Sequence, residues 1–128
     1  LNVKLKFLDA WNQQRKAIAS SYLNEIDNQD LVLPYKISLS DSAWHIFPVR
    51  SVNRDEIIKK LKNDDIETLI HYPIPPHKQK IYAHHYLNSK LDISEKISNE
   101  LLSLPIGPHI NFKDAEFVVS KVNSMTKK

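Results

Sequence analysis

With 128 residues, 26% of them charged and 41% hydrophobic, the chain has the size and balance of one water-soluble globular unit with a single core, and no apolar run approaches the roughly 20 residues of a bilayer-spanning helix. It contains no cysteine, which excludes disulfides, thiolate nucleophiles and cysteine-held zinc and fits a cytoplasmic chain. Its one glycine, Gly107, excludes a phosphate-cradling loop or nucleophile elbow, and a net charge of +3 with basic and acidic residues interleaved lacks the concentrated basic face that nucleic acid requires.

Leu1, Leu5, Leu8, Trp11, Ile18, Tyr22 and Ile26 recur at helical spacing from the first residue. The pattern predicts a helix of about 25 residues, roughly 37 Å long, which is more than a domain of this size needs. Such a helix bridges two units, so the chain reads as part of a longer protein, with residues 1–27 as an interdomain helix and 28–128 as a small domain. Next, Leu31–Ile37 is extended and interrupted by Pro34, and Ser38–Asp41 forms a polar loop. Ala43–Ser51 reads as the best strand, with Trp44, Ile46 and Pro48 on one face and His45, Phe47 and Val49 on the other, both faces covered. His45 is thereby expected to be a satisfied core histidine.

Asn53-Arg-Asp-Glu56 predicts a capping box ahead of a helix that buries Ile57, Ile58 and Leu61 and ends near Asn63. Glu67–Tyr72 is a strand, so that strand, helix and strand make a βαβ-type or split unit. Residues 80–91 carry a weaker signal of one or two helical turns with Ile81, Tyr82 and Tyr86. Asp92-Ile-Ser-Glu95 predicts a second capping box, followed by Ile93, Ile97 and Leu101 as a buried stripe. After the extended Leu104-Pro-Ile-Gly-Pro, Asn111 caps a last helix with Ala115, Val118, Val119, Val122 and Met125 inward. The sum is an α+β fold of four helices and three or four short strands.

Residues 68–79, Thr-Leu-Ile-His-Tyr-Pro-Ile-Pro-Pro-His-Lys-Gln, hold three of the seven prolines and two of the six histidines. Pro73, Pro75 and Pro76 fix their own φ and push their predecessors out of the α region. The result is a rigid loop carrying His, Tyr and Gln. It serves either to present those groups to a ligand or as an ordinary strand-to-loop turn with solvated histidines. His71, His77, His84 and His85 lie within fifteen residues, yet no metal site is expected. Zinc ligands must converge, whereas His84 and His85 point apart in a helix or strand. His109 reads as plain loop.

Taken in order, Leu8–Ala19, Ser42–Arg50 with Asn53–Glu56, Thr68–Gln79 and Leu102-Ser-Leu-Pro-Ile-Gly-Pro resemble the C-terminal part of the DegT/DnrJ/StrS family. These are PLP-dependent aminotransferases acting on nucleotide-linked keto sugars. The likeness covers nearly the whole chain except residues 82–91, and His-Tyr-Pro-x-Pro-x-His-x-Gln is its most specific part. It implies the small C-terminal domain of fold-type I PLP-dependent transferases, with helices packed on one side of short strands. The large domain bearing the Schiff-base lysine, the acid for the pyridine nitrogen and most phosphate contacts would precede it. Nothing matches Lys78 or Lys80 to that lysine.

The resemblance further implies that His71 and Tyr72, then His77 and Gln79, face a nucleotide-sugar substrate. Positioning falls to this domain and bond-making does not. The full-length parent would be a cytoplasmic homodimer using pyridoxal 5'-phosphate and aminating a dTDP-3-keto-6-deoxyhexose, with glutamate as donor, for O-antigen or other cell-surface glycans. The part in hand would be inactive and bind no cofactor. The competing expectation is a stand-alone module that binds a sugar phosphate or a protein partner. The two differ in whether Leu1, Leu5, Leu8 and Trp11 form an exposed apolar stripe.

Overall fold

The structure is a computed structural model that describes residues 1–35, 42–82, 84–85 and 90–125. The opening periodicity folds as two helices, α1 (Asn2–Leu5) and α2 (Leu8–Glu25), in place of the single helix expected. The break lies where the Phe7 N–H bonds to the Lys4 carbonyl, 3.1 Å away. That i−3 bond tightens the turn before the α-helical pattern resumes. Phe7 stacks on Trp11 at 6.0 Å across this joint. The far end of α2 is tied to the end of the last helix. The Asn123 side chain donates to the Glu25 carbonyl and accepts from the Asp27 N–H, each at 2.8 Å, and Asn28 donates to the Val122 carbonyl at 2.6 Å. These bonds satisfy carbonyls that a helix end leaves open.

Among the described residues, regular pairing is confined to β1 (Phe47–Arg50) and β2 (Leu101–Leu104), which are antiparallel, with Phe47 opposite Leu104 and Arg50 opposite Leu101. Single antiparallel bridges extend the ladder on both sides, Val32 to Arg50 and Leu69 to Ser103. β1 and the Leu69 segment both run against β2 and flank it, so they are parallel to each other. With α3 (Arg54–Asn63) between them in sequence, they make a split βαβ unit. Pro48 is tolerated because its partner Ser103 turns its own N–H and carbonyl toward Leu69, at 2.7 and 3.3 Å. The missing proline donor is not needed there.

The remaining helices are α4 (Asp92–Glu100) and α5 (Phe112–Ser124). Asn111 caps α5 as its sequence predicts, its side-chain oxygen accepting from the Asp114 N–H at 2.9 Å. The core gathers Ile18 and Tyr22 of α2, Phe47 and Val49 of β1, Leu61 of α3, Leu102 of β2 and Val122 of α5. At its centre Tyr22 meets Phe47 edge-on at 5.0 Å, and the Tyr22 hydroxyl donates to the Pro105 carbonyl at 2.8 Å. A buried phenol needs such a partner.

Several expectations are corrected. The strand begins at Phe47 and not Ala43, because Trp44 adopts φ 47° and turns the backbone out of the extended region. His45, stranded beyond that turn, is exposed and is not a core histidine. Glu67–Tyr72 pairs only at Leu69, so short pairing replaces the three or four strands expected. The two predicted capping boxes do not form. Asn53 offers its backbone carbonyl and not its side chain to α3, while its own N–H donates to Ser51 Oγ. Glu95 is drawn away to other partners. Ile93 is 78% exposed, and Leu101 opens β2 where the pattern extends the helix. Ser38–Asp41 and Tyr86 lie outside the described residues.

Burial, then the Asp114 charge, pushes the Tyr22 phenol far above its ordinary value of 10.0. The folded state thus holds this proton more tightly than the unfolded chain. The resulting stability is complete below pH 10 and declines above it, as the unfolded phenol ionises. Tyr22→Phe should cost about 1 kcal/mol at neutral pH through the lost hydrogen bond and flatten the alkaline decline. Urea unfolding at pH 7 and at pH 10–11 checks both.

Candidate functional site

The site grows from β2. Ser103 is buried between Leu102 and Leu104, its backbone paired with Leu69. Its hydroxyl lies 2.9 Å from His71 Nδ1. This contact orients the imidazole, and Tyr72 sits edge-on to it with ring centroids 5.6 Å apart. The chain then bends at Pro73 and Ile74 and passes through an extended Pro75 into a 3-10 turn at Pro76–Lys78. His77 of that turn is buried, with Nε2 3.1 Å from Glu95 Oε1 on α4, and Lys78 Nζ donates to the other oxygen of the same carboxylate.

Two clefts meet at His71. The larger, about 680 Å³, is lined by His71, Tyr72, Lys90, Asp92, Ile97 and Leu101 among others. The smaller, about 410 Å³, takes in His45, Glu67, His71, Ser103 and His109. His71 is half-buried and Tyr72 is 71% exposed, and both line the larger cleft. The other two sequence candidates part from them. His77 turns inward to Glu95 and borders a third cleft of about 400 Å³ with Pro76 and Tyr82. Gln79 is exposed and lines none of the three.

Ser103 and Glu95 were missed as site residues. Ser103 carries a signal, a hydroxyl alternating among leucines in Leu102-Ser-Leu-Pro. Glu95 is masked by its place in an apparent capping box.

Gly107 serves the smaller cleft. A Cβ there would come within 2.5 Å of His109 Cε1 and 2.8 Å of Nδ1. His84 and His85 lie in a turn with their rings 4.0 Å apart, closer than the diverging directions a helix or strand would impose. Among the described residues no group of three His, Cys, Asp or Glu is placed to hold a metal ion.

A family model, the DegT/DnrJ/EryC1/StrS aminotransferase family, matches residues 1–123, and the chain belongs to that family. It is 43% identical over 123 residues to dTDP-3-amino-3,6-dideoxy-alpha-D-galactopyranose transaminase of Aneurinibacillus thermoaerophilus, covering 96% of this chain and 34% of the relative. The structure superimposes on that of S. venezuelae DesV in complex with a ketimine intermediate with a TM-score of 0.93 and 35% identity, over 99% of this chain and 35% of DesV. NtdA of Bacillus subtilis, solved with bound cofactor PMP, gives a TM-score of 0.81 at 28% identity over 91% of this chain and 28% of NtdA. The chain spans about a third of the length of the relatives it matches. Its fold is the α+β small C-terminal domain of DesV-like structures.

The family uses a pyridoxal cofactor, but the residues described here do not fit one. The larger cleft offers a single lysine, Lys90, while Lys78 is held by Glu95 and Lys121 by Asp64. The one glycine is closed against His109, and no glycine-lined helix end faces the clefts to hold a phosphate.

The Lys78 ammonium, and after it His77, hold the Glu95 carboxyl below its ordinary value. A depressed carboxyl contributes stability above its unfolded value, and that contribution is lost as pH falls through the folded one. The 76–78 turn should therefore loosen from α4 as pH falls below the ordinary carboxyl value of 4.5, and Glu95→Gln should abolish the transition. Amide exchange of residues 76–79 against pH measures it. Gly107→Ala should displace the His109 ring but lower stability by less than about 1 kcal/mol, since an exposed ring can swing aside. Thermal unfolding together with the His109 ring resonances tests this.

Proposed function

We propose that this chain is the substrate-closing small domain of a sugar aminotransferase. The whole enzyme moves an amino group, from glutamate, to a keto group of a nucleotide-linked deoxy sugar, a dTDP-3-keto-6-deoxyhexose, in cell-surface glycan biosynthesis. The observation that carries this reading is the placement of His71 and Tyr72 on the rim of the 680 Å³ cleft, in a chain whose relatives include a dTDP-amino-sugar transaminase. Imidazole and phenol hydrogen-bond sugar hydroxyls and phosphate oxygens, and a cleft of this size suits a small organic ligand. Gln79, exposed and outside the three clefts, is the outlying contact of this reading.

Pyridoxal 5'-phosphate, held by a larger domain, supplies the electron sink of the reaction. The residues of this chain bind and orient the sugar. We assign residues 1–27 to the junction with that domain and residues 28–128 to the small domain. Leu1 is fully exposed, Val3 72%, Leu5 55%, Phe7 52% and Leu8 42%, while Trp11 is half-buried and stacks on Phe7. A run of apolar side chains this exposed calls for a covering surface, which favours the interdomain role over a stand-alone binding module. The enzyme is a cytoplasmic homodimer on this reading, and the small domain alone is inactive.

In the full-length protein, His71→Ala and Tyr72→Phe should each raise KM for a dTDP-3-keto-6-deoxyhexose about tenfold, with a smaller change in kcat. Steady-state kinetics measures the split. Unchanged KM in both variants rejects the contact assignment, and absence of transamination by the parent rejects the reading as a whole. The 128-residue chain alone should develop no yellow absorbance with pyridoxal phosphate, and a bound chromophore would contradict its assignment.

A further inference from the structure

We propose that Glu95 and His77 are positioning residues that set the width of the larger cleft, and that His77 does not itself touch substrate. The inference rests on the reading of that cleft as the nucleotide-sugar site.

The two walls of the cleft come from different elements. One is the His71–Tyr72 segment. The other is α4, through Asp92, Ile93, Ser94 and Ile97. The second half of α4 is fixed elsewhere in the fold. Arg54 of α3 donates to the Ser98 carbonyl at 2.7 Å, and the Ser51 N–H to the Glu100 carbonyl at 2.9 Å. Among the described residues the first half of α4 carries no buried side chain: Asp92 and Ile93 are exposed, and the buried residue of α4 is Ser98. There Glu95 supplies the link, one carboxylate oxygen to His77 and the other to Lys78.

The position of His77 is transmitted to Tyr72. Four residues separate them, Pro73, Ile74, Pro75 and Pro76; the chain bends at Pro73 and Ile74, and the fixed φ of the three prolines leaves that bent path few ways to rearrange. A carboxylate that holds the 3-10 turn therefore holds the tyrosine at the other end of that path. Among the described residues an open cleft of about 400 Å³ borders His77 on one side, and the bonds to Glu95 are the polar link between the turn and α4. The side chain of His77 is 4% exposed, which suits a tie and not a ligand contact.

The test uses the full-length protein labelled with 3-fluorotyrosine, its Tyr72 resonance identified by its loss in Tyr72→Phe, with dTDP as the binding probe. In Glu95→Ala the Tyr72 fluorine resonance should shift and broaden, and dTDP affinity by calorimetry should fall about tenfold, the scale of a displaced positioning group. Glu95→Gln keeps one acceptor oxygen and should fall between Glu95→Ala and wild type. Lys78→Met, which leaves the His77 link intact, should stay near wild type. An unmoved Tyr72 resonance, or an affinity that holds while the resonance moves, overturns the proposal. Should Glu95→Ala not fold, Glu95→Gln carries both readings. If wild-type protein does not bind dTDP, the nucleotide-sugar reading fails, and the Tyr72 resonance alone decides whether Glu95 holds that wall.

Discussion

Ser103 joins the scaffold to the site. Its backbone N–H and carbonyl pair with Leu69, its Cα neighbour across the ladder is Pro48, and its hydroxyl meets His71. A strand residue can do this because its backbone groups lie in the plane of the sheet while its side chain stands off it. An apolar residue here would keep the ladder and leave the imidazole without its partner. The half-buried His71 depends on this hydroxyl for its orientation, so β2 serves the core through Leu102 and Leu104 and the cleft through the residue between them.

The core around this strand is small, and polar bonds close it at its margins. Tyr22 fills the centre, yet its hydroxyl must reach the Pro105 carbonyl. Asn28 and Asn123 join the ends of α2 and α5. Arg54 ties α3 to α4. Two paired strands and two bridges give too little sheet to hold five helices by apolar burial alone. Net hydrogen-bond energies of about 1 kcal/mol each therefore weigh more here than in a domain with a wide sheet.

The helices were the most legible part of the sequence. α3 and α5 lie where apolar periodicity puts them, and the Asn111 cap forms, because each obeys one dominant local rule. The strands were less legible. The Ala43–Ser51 alternation hides a positive φ at Trp44, which no propensity for a tryptophan suggests. The Asn53 and Glu95 capping patterns lost to competing partners, a backbone geometry in one case and a histidine and lysine from a distant turn in the other. Local motifs name a bond the side chain can make, while tertiary contacts decide which one it does make. Of the four site candidates, His71 and Tyr72 fall together because they share a short segment anchored to β2. His77 turns away because its partner lies 18 positions further along the chain.

The same distinction bears on the walls of the larger cleft. The cleft is bounded by a segment hung from the sheet and by a helix anchored at one end, joined by a carboxylate link and not by interlocked apolar side chains. An interlocked wall resists displacement in small steps, since close-packed interiors tolerate little change of volume. A carboxylate with two donors can keep one while the other adjusts. The exposed apolar residues of α1 and the start of α2 sit at the opposite limit, with the Phe7–Trp11 stack the one aromatic contact shown there among the described residues. Of all the surfaces of this chain, theirs has the most to gain from a second domain.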